Sequence, residues 1–470
     1  MMRASLHQVA NWLNNQSRPL PDIAIQGVST DTRSLVPGNL FVALKGERFD
    51  GHDHLSAALA AGAAAAVVAR LNPQIDIPQI LVDDTLAALQ TLGKCWRDQV
   101  DPFVIAITGS AGKTTVKQLL AAMCAQVGAT RATVGNLNND IGVPLTLLSL
   151  DLTDRFAVIE MGANHVGEIA RLTVLARPDV ALVTMAGTAH VGEFGSIDAI
   201  VQAKGELYAG LAPDAKAVIN LDSYGADRWL AHCPAHRSGF SLAGDGRARW
   251  AGEYDTATSR LSVFEDGQPM LSELALPLPG AHNATNLLAA IAVARASGLS
   301  LEAITKGLRE FTPPPGRMSL VRCSDQLTVI NDTYNANPES MRAALDYLVS
   351  LPGRHVAILG DMGELGDQTD ELHESLIRYA QTLSLYGLFT LGEAMNKAIT
   401  STRPEPANAL VLAADEPEII AEKLMPLLDR VERDSSAKMP VTVLVKGSRF
   451  MRMERMMNWL VPTHPESEAH

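Results

Sequence analysis

The sequence predicts an α/β protein of three domains, and three observations support this prediction. Short apolar runs alternate with longer segments whose apolar residues recur at helical spacing. A glycine-rich turn at residues 109–114 joins one apolar run to the helical segment that follows it. Prolines interrupt the pattern at Asp101-Pro102 and at residues 313–316. We therefore expect domains at residues 1–101, 102–312 and 313–470.

The composition is typical of a globular protein in a reducing compartment. Apolar residues make up 47% and charged residues 19%, so each domain can bury its own core. A formal net charge of −13 argues against nucleic-acid and membrane-surface partners. The four cysteines form no CxxC pair, and the first residues lack a signal-peptide core. We expect a cytoplasmic protein that does not insert into a membrane.

The N-terminal segment is predicted to form a small α/β domain. Strands are expected at residues 40–44 and 66–68, around an alanine-rich helix. Polar loop residues between these elements are candidate ligand contacts, although turn formers and solvated charges explain the pattern equally well. The candidates are Ser29, Asp31, Arg33, Asp50 and His52.

The central segment begins with an apolar strand at residues 104–108, the glycine-rich turn and a helix. This order is typical of a phosphate cradle, in which backbone N–H groups and the helix N-terminus face an anion. Ile107 stands where the first glycine of the standard loop belongs, so the loop is a short GxxGKTT variant. The candidate phosphate-binding residues are Gly109, Ser110, Ala111, Gly112, Lys113, Thr114 and Thr115.

Three further apolar strands are expected in this domain, at residues 157–160, 180–184 and 217–220. Polar residues follow their carboxyl ends, where an open parallel sheet binds its ligands. Glu160 is placed to hold Mg²⁺, and His190 lies in a loop flanked by glycine. Lys204, in an apolar helical stretch, is either snorkelling to the surface or functional.

The end of the central segment carries a predicted hairpin and an amide cluster. Residues 248–268 resemble an antiparallel hairpin. The following PGAHNATN contains His282, Asn283 and Asn286. Their side chains suit a purine edge, but a helix cap rich in Asn explains them equally well.

The C-terminal segment repeats a strand–turn–helix pattern five times, which predicts a Rossmann-like domain. Arg317 follows the triple proline, and Asp332 and Asn335 follow the first strand. Asn337 is expected to cap a helix that begins at Pro338. Ser448 follows the last strand, and His373, in mid-helix, is expected to be solvated.

Taken together, these motifs resemble the Mur ligase superfamily over nearly the whole chain. The segments that carry the resemblance, in chain order, are STDTR, GNLFVALKGERFDGH, TGSAGKTT, NLNNDIGVPLTLL, EMGANHVGEI, AHVGEFGS, AKGELY, PGAHNATNLLAA, DTYNANPESMRAAL, LGDMGELG and VLVKGSR. NANPESM and GDMGELG are the most specific of them. The resemblance implies an N-terminal uridine-diphosphate-binding domain and a central domain like those of P-loop ATPases.

The resemblance also implies roles for individual residues. Lys113 and the loop amides would hold ATP phosphates, and Thr114, Glu160, His190 and a carbamate on Lys204 would hold Mg²⁺. Asn283 and Asn286 would contact adenine, and Arg317 and Asp332 the γ-phosphate and ribose. The implied substrate contacts are the five N-terminal candidates, Asn138, Asn139, Asn335, Asn337 and Ser448.

The implied activity is ATP-dependent joining of D-alanyl-D-alanine to UDP-N-acetylmuramoyl-tripeptide, a step in peptidoglycan and cell wall formation. We expect a monomer whose C-terminal domain closes on ATP. Two alternatives stay open on the sequence. One is a related ligase that adds glutamate to a folate or another amino acid to a muramyl peptide. The other is a nucleotide-dependent switch or scaffold without chemistry.

Overall fold

A computed structural model describes residues 1–15, 20–188, 191–402, 410–433 and 439–461. Within these ranges the N-terminal domain contains a small antiparallel pair, β1-β2, and a parallel sheet in the order β3-β4-β5-β6. Its strands are β1 Arg3–Ser5, β2 Ala24–Gln26, β3 Val28–Ser29, β4 Leu40–Val42, β5 Ala65–Val68 and β6 Gln79–Leu81. Its helices are α1 Leu6–Trp12, α2 Leu55–Ala60 and α3 Thr85–Val100, with a 3₁₀ turn at Gly51–His54. The two strands predicted in this domain are confirmed as β4 and β5.

The central domain is built on one large sheet in the order β15-β14-β13-β12-β11-β10-β7-β9-β8. Its strands are β7 Phe103–Thr108, β8 Thr130–Ala132, β9 Phe156–Glu160, β10 Val180–Val183, β11 Lys216–Asn220, β12 His236–Ser241, β13 Trp250–Asp255, β14 Arg260–Glu265 and β15 Gln268–Ala275. Its helices are α4 Lys113–Ala125, α5 Gly142–Leu148, α6 Glu168–Ala176, α7 Val191–Phe194, α8 Ile197–Ala209, α9 Ala226–His232, α10 Ala281–Ala296 and α11 Leu301–Glu310.

The strands from β7 to β13 pair in parallel, as the continuous apolar runs predict. The predicted hairpin is confirmed as β13 and β14, and β15 extends it antiparallel along the edge. Because parallel strands end at one edge, the residues after β7, β9 and β10 meet there. The phosphate loop and Glu160 therefore come together.

The C-terminal domain carries a second large sheet in the order β16-β17-β21-β18-β19-β20. Its strands are β16 Ser319–Arg322, β17 Leu327–Asp332, β18 Arg354–Gly360, β19 Gly387–Leu391, β20 Leu410–Ala414 and β21 Val441–Lys446. Its helices are α12 Pro338–Ser350, α13 Thr369–Thr382, α14 Glu393–Ser401, α15 Pro417–Arg433 and α16 Glu454–Leu460, with 3₁₀ turns at Gly366–Gln368 and Arg449–Met451. The repeated strand–helix units are confirmed, and Asn337 caps α12 with a capping box, as predicted.

His373 was predicted to be solvated, and this prediction is wrong. Its side chain is 0% exposed. Nε2 accepts a hydrogen bond from the Met362 amide at 2.9 Å, and Nδ1 lies 2.7 Å from the Thr369 carbonyl oxygen. The imidazole therefore satisfies one backbone group at the start of α13 and one in the loop after β18, rather than facing water.

Two of the domains share an apolar core. One face of the N-terminal sheet packs with α3, and α3 packs on α5 of the central domain. Trp96 donates its indole N–H to the Leu150 carbonyl, and the Met2 amide donates to Leu148. The C-terminal domain has separate cores on the two faces of its own sheet. Among the described residues no helix is long and apolar enough to cross a bilayer.

Candidate active site

The glycine-rich loop after β7 adopts a conformation that only glycine tolerates. Gly109 has φ +143° and Gly112 has φ +80°. A Cβ on Gly109 would lie 1.9 Å from Thr184 Oγ1, and a Cβ on Gly112 would lie 2.2 Å from Asn286 Oδ1. Both positions thus combine backbone strain with a steric clash for any other residue. The loop then delivers Lys113 as the first residue of α4.

Lys113 folds back onto the loop. Its Nζ donates to the Gly109 carbonyl oxygen at 2.5 Å. Burial and the nearby positive charge of Arg317 lower the pKa of Lys113, whereas Glu160 opposes the shift. The ammonium group therefore stays next to the loop, whose backbone amides are the groups that would hold a phosphate.

Glu160 ends β9 and is the most constrained carboxylate at this edge. Its Oε2 accepts from Thr114 Oγ1 at 3.0 Å, and its Oε1 accepts from Asn138 Nδ2 at 2.9 Å. Lys117 Nζ lies 3.3 Å from Oε2. Burial alone raises the pKa of Glu160, but Lys113, Lys117 and the two hydrogen bonds outweigh it and hold that pKa below its ordinary value. Glu160 is therefore an oriented, ionised carboxylate.

Lys204 lies inside α8 and is 1% exposed, so it does not snorkel to the surface. Its Nζ lies 3.5 Å from the Ala163 carbonyl oxygen and 5.3 Å from the Phe194 ring centroid. The structure gives it no ion pair in the part of the chain that it describes. Burial, followed by the charge of Lys113, lowers the pKa of Lys204 to about 7. A substantial fraction of its amine is therefore neutral near pH 7.

The C-terminal domain reaches the loop through Arg317. Arg317 Nη2 donates to Thr114 Oγ1 at 3.1 Å, and its guanidinium carbon lies 4.2 Å from the Tyr334 ring centroid. Asp332 pairs with Lys446 at 2.5 Å and accepts from the Met318 amide. Asp332 thus orients the chain next to Arg317.

The amide cluster at the start of α10 faces the same space. Asn286 Nδ2 donates to Asn283 Oδ1, and Asn283 Nδ2 donates to the Pro279 carbonyl oxygen. Burial lowers the pKa of the neighbouring His282 to about 4, so its imidazole is neutral. The cluster offers uncharged polar groups beside the phosphate loop.

These groups surround one cavity of about 820 Å³ between the central and C-terminal domains. Most of the candidates from the sequence line it. They are residues 110–115, Asn138, Asn139, Glu160, Lys204, Asn283, Asn286, Arg317, Asp332, Asn335 and Asn337. Leu86 adds a contribution from the N-terminal domain. A cavity of this size is within the range that binds nucleotides and comparable ligands.

Several candidates are not among the described residues that line this cavity. His190 lies outside the described residues. Gly109 serves through its backbone, and the Ser448 hydroxyl bonds backbone groups, accepting from Gly363 N and donating to Ala336 O. The five N-terminal candidates do not line the cavity. Among these five, Asp31 pairs with exposed Arg33, and Asp50 pairs with His52.

Sequence reasoning missed two residues that complete the site. Lys117 lies one helical turn after Lys113 in an otherwise apolar period, and that spacing was the signal that could have revealed it. Glu339 lies in the first turn of α12, where an acidic residue is common and gave no signal of a further role. Its Oε1 accepts from the Thr188 amide at 2.6 Å, across the junction of the two domains.

Comparisons with known proteins cover all three domains. The Mur ligase family catalytic domain matches residues 24–95, the Mur ligase middle domain matches residues 107–294, and the Mur ligase glutamate ligase domain matches residues 316–449. The UDP-N-acetylmuramoyl-tripeptide–D-alanyl-D-alanine ligase of Escherichia coli K12 is 38% identical over 461 residues, covering 98% of this chain and 99% of the relative.

Solved structures also show similarity to Mur ligases. MurF from Acinetobacter baumannii superimposes with a TM-score of 0.89 at 33% identity and covers 98% of this chain and 99% of its own. MurF ligase from Thermotoga maritima, in complex with ADP, has a TM-score of 0.79 at 26% identity, with coverage of 93% and 97%. Because family matches run in order through all three domains and relatives align over nearly the full length, this chain belongs to the Mur ligase family.

Proposed function

We propose that this chain is the ligase that adds D-alanyl-D-alanine to UDP-N-acetylmuramoyl-tripeptide at the expense of ATP. The product would be the muramyl-pentapeptide precursor of peptidoglycan. The observation that carries the proposal is the single cavity in which Lys113, Glu160, Lys204 and Arg317 converge. Relatives that bear this activity in their names align over nearly the whole chain. A switch without chemistry would not need these four groups around one phosphate loop.

The chemistry requires activation because an amide does not form spontaneously from a carboxylate and an amine in water. The terminal carboxylate of the tripeptide would attack the γ-phosphate of ATP and form an acyl phosphate, releasing ADP. The amine of D-alanyl-D-alanine would then attack the acyl carbon, and phosphate would leave. Lys113 and Arg317 both line the cavity, where they would neutralise the charge that develops on the phosphoryl group.

The donor set next to the loop fits Mg²⁺. Thr114 Oγ1 and Glu160 Oε2 lie 3.0 Å apart, and both are oxygen ligands. Magnesium in phosphoryl-transfer sites takes one or two protein oxygens and completes its shell with phosphates and water. When bound, the ion would neutralise part of the charge of the nucleotide phosphates.

Lys204 fits the carbamate that the family resemblance implies. Its buried amine has a pKa of about 7, so the neutral form that reacts with CO₂ is populated near neutral pH. N–C bond formation would release one proton and leave a carboxylate-like group. Alongside His190, that group would provide a second anionic ligand for the metal ion. The lysine would then no longer carry an unpaired positive charge.

The remaining contacts are proposed from the family resemblance. Asn283 and Asn286 would bind adenine, and Asp332 the ribose. Asn138, Asn139 and Asn335 would bind the peptide and D-alanyl-D-alanine, whereas Asn337 and Ser448 would shape that pocket, because their side chains already bond the backbone. The five N-terminal candidates would bind the uridine diphosphate. We place the reaction in the cytoplasm and propose a monomer.

One coupled assay tests the proposal. Purified enzyme is mixed with ATP, Mg²⁺ and UDP-N-acetylmuramoyl-tripeptide, and ADP release is followed with D-alanyl-D-alanine or glutamate as acceptor. Release that depends on D-alanyl-D-alanine supports the proposal. Release with glutamate and a folate would favour the folate ligase, and no release with any acceptor would favour a switch or scaffold.

A further inference from the structure

Lys117 is a buried cation that the mechanism above does not use. It is 1% exposed, and its partner Glu160 is 3% exposed. Lys117 follows Lys113 by four residues on α4, so both side chains leave the same face of the helix. Lys113 lines the cavity, whereas Lys117 is not among the residues that line it. Lys117 therefore lies behind Glu160 and acts on the cavity through that carboxylate.

Donors hold the Glu160 carboxylate from several sides. Asn138 donates to Oε1, Thr114 donates to Oε2, and Lys117 approaches Oε2 at 3.3 Å. A buried carboxylate is stable only when it is paired and hydrogen-bonded. This arrangement satisfies the Glu160 carboxylate without a metal ion. A metal ion that binds Glu160 must compete with these donors.

The charge around Glu160 is positive. Lys113 and Lys117 act on the carboxylate directly, and Arg317 reaches it through the Thr114 hydroxyl. Three cations thus surround one carboxylate. This cluster repels a free divalent cation and attracts a polyphosphate. Lys113 and Arg317 line the cavity and are placed to pair with phosphates, so a bound nucleotide would screen their charges but would leave Lys117 in place.

We propose that Lys117 is a positioning residue that fixes the Glu160 carboxylate and prevents the site from retaining a divalent cation unless nucleotide phosphates are present. The ion then enters with the nucleotide and leaves with it. This inference rests on the proposed function only in that Glu160 is a metal ligand. It assigns Lys117 no contact with ATP or with the peptide.

The test measures Mn²⁺ binding by electron paramagnetic resonance in the absence of nucleotide and with ADP. Wild-type enzyme should bind Mn²⁺ weakly alone and much more tightly with ADP. Lys117→Met should bind Mn²⁺ alone about tenfold more tightly, because one charge a few ångströms from a divalent ion has this effect even at the dielectric constant of water. The gain on adding ADP should shrink accordingly.

Two controls separate this role from general damage. Lys117→Arg keeps the charge and should keep weak Mn²⁺ binding in the absence of nucleotide. Arg97→Met removes another cation that is 1% exposed, paired with Asp98 at 2.9 Å on α3, and should leave Mn²⁺ binding unchanged. If Lys117→Met does not fold, Lys117→Gln is measured in its place, because glutamine keeps a donor toward Glu160 without the charge.

Unchanged or weaker Mn²⁺ binding in the uncharged Lys117 variant would overturn the inference. Glu160→Gln distinguishes that failure from failure of the metal-site assignment. If Glu160→Gln abolishes Mn²⁺ binding in the presence of ADP while the Lys117 variant resembles wild type, only the role of Lys117 is wrong. If Glu160→Gln binds Mn²⁺ as wild type does, the metal assignment in the proposed function is wrong as well.

Discussion

At the scale of single residues, burial determines what Lys204 can do. A lysine on a solvated helix face is almost entirely protonated at neutral pH, and it is then a poor nucleophile. Removing water from Lys204 and placing Lys113 nearby lowers its pKa to about 7. Its nearest polar contact is a backbone carbonyl rather than a carboxylate. The side chain is therefore available for covalent modification.

Replacing Lys204 by alanine should abolish most of the turnover, because the proposed carbamate is lost. Short carboxylic acids such as acetate should restore part of the activity by entering the vacated space and supplying the missing carboxylate. ADP release with and without acetate measures both effects. Near-normal activity of Lys204→Ala without acetate would exclude the carbamate.

The same pKa predicts a dependence on pH. Below about pH 7 the Lys204 amine is protonated and does not react with CO₂, whereas above it the neutral form dominates. At limiting bicarbonate, turnover should rise as the pH increases through about 7, and excess bicarbonate should shift the rise to lower pH. Initial rates across this range check it. The acetate-restored Lys204→Ala enzyme should lack this bicarbonate-dependent rise, and its persistence would assign the rise to another group.

At the scale of elements, the turn between β7 and α4 fits tightly against α10. Gly112 approaches Asn286 so closely that the turn and the amide cluster form one unit. The shape of the loop proposed to bind phosphate therefore depends on α10, which is distant in sequence. The shape of the loop depends on backbone conformation and packing as much as on its lysine.

Gly112→Ala should disrupt this unit. Its φ of +80° costs an L-residue about 1–2 kcal/mol, and the new methyl group would clash with Asn286 Oδ1. We expect turnover to fall about 100-fold, because small displacements at a reacting centre have effects of this size. Gly298→Ala is the matched control, with φ +84° and no atom within 4 Å of its Cβ. It should lose similar backbone stability in chemical unfolding and keep its turnover. Equal turnover losses in both variants would contradict the role of packing.

At the scale of the whole molecule, the C-terminal domain meets the rest through polar and backbone contacts and through Leu372, which packs against the core shared by the first two domains. Arg317 bonds Thr114, and Glu339 accepts from the Thr188 amide. Gly192 packs so closely on Gly366 that a Cβ would lie 2.3 Å from the Gly366 nitrogen. Contacts of this kind can separate without exposing a large apolar surface, which suits a domain that opens and closes.

Glu339→Ala should shift this equilibrium toward an open molecule by removing the bond to Thr188. In small-angle scattering, the radius of gyration without ligands should increase, and ATP with the tripeptide should reduce it again. Glu302→Ala, in the exposed first turn of α11, is the matched control and should scatter like wild type. Identical scattering of the Glu339 variant and wild type, with and without ligands, would contradict both the role of the Glu339–Thr188 bond and the closure of the C-terminal domain.

The predicted strands were right where apolar runs were continuous, because a strand buried on both faces needs no polar alternation. The edge strand β15 was missed because every one of its residues is partly or fully exposed. The phosphate loop, Glu160 and Arg317 were candidates from local motifs, and the structure brings them to one cavity. For Lys117 the spacing from Lys113 was the one signal in the sequence, but its burial against Glu160 depends on how α4 packs against β9. The burial of His373 likewise arises from a loop outside its own helix.

The joint interior of the first two domains also determines where the chain can be shortened. A truncation that ends before residue 313 would keep Trp96, Leu150 and the surfaces around them together, and it should remain dispersed in solution. A truncation that begins at residue 102 would remove α3 from α5 and expose a large apolar surface to water, which favours aggregation. The C-terminal lobe, with apolar interiors on both faces of its sheet, should survive excision. We therefore expect the chain to be divisible into two folded parts at the triple proline, but not between the first two domains.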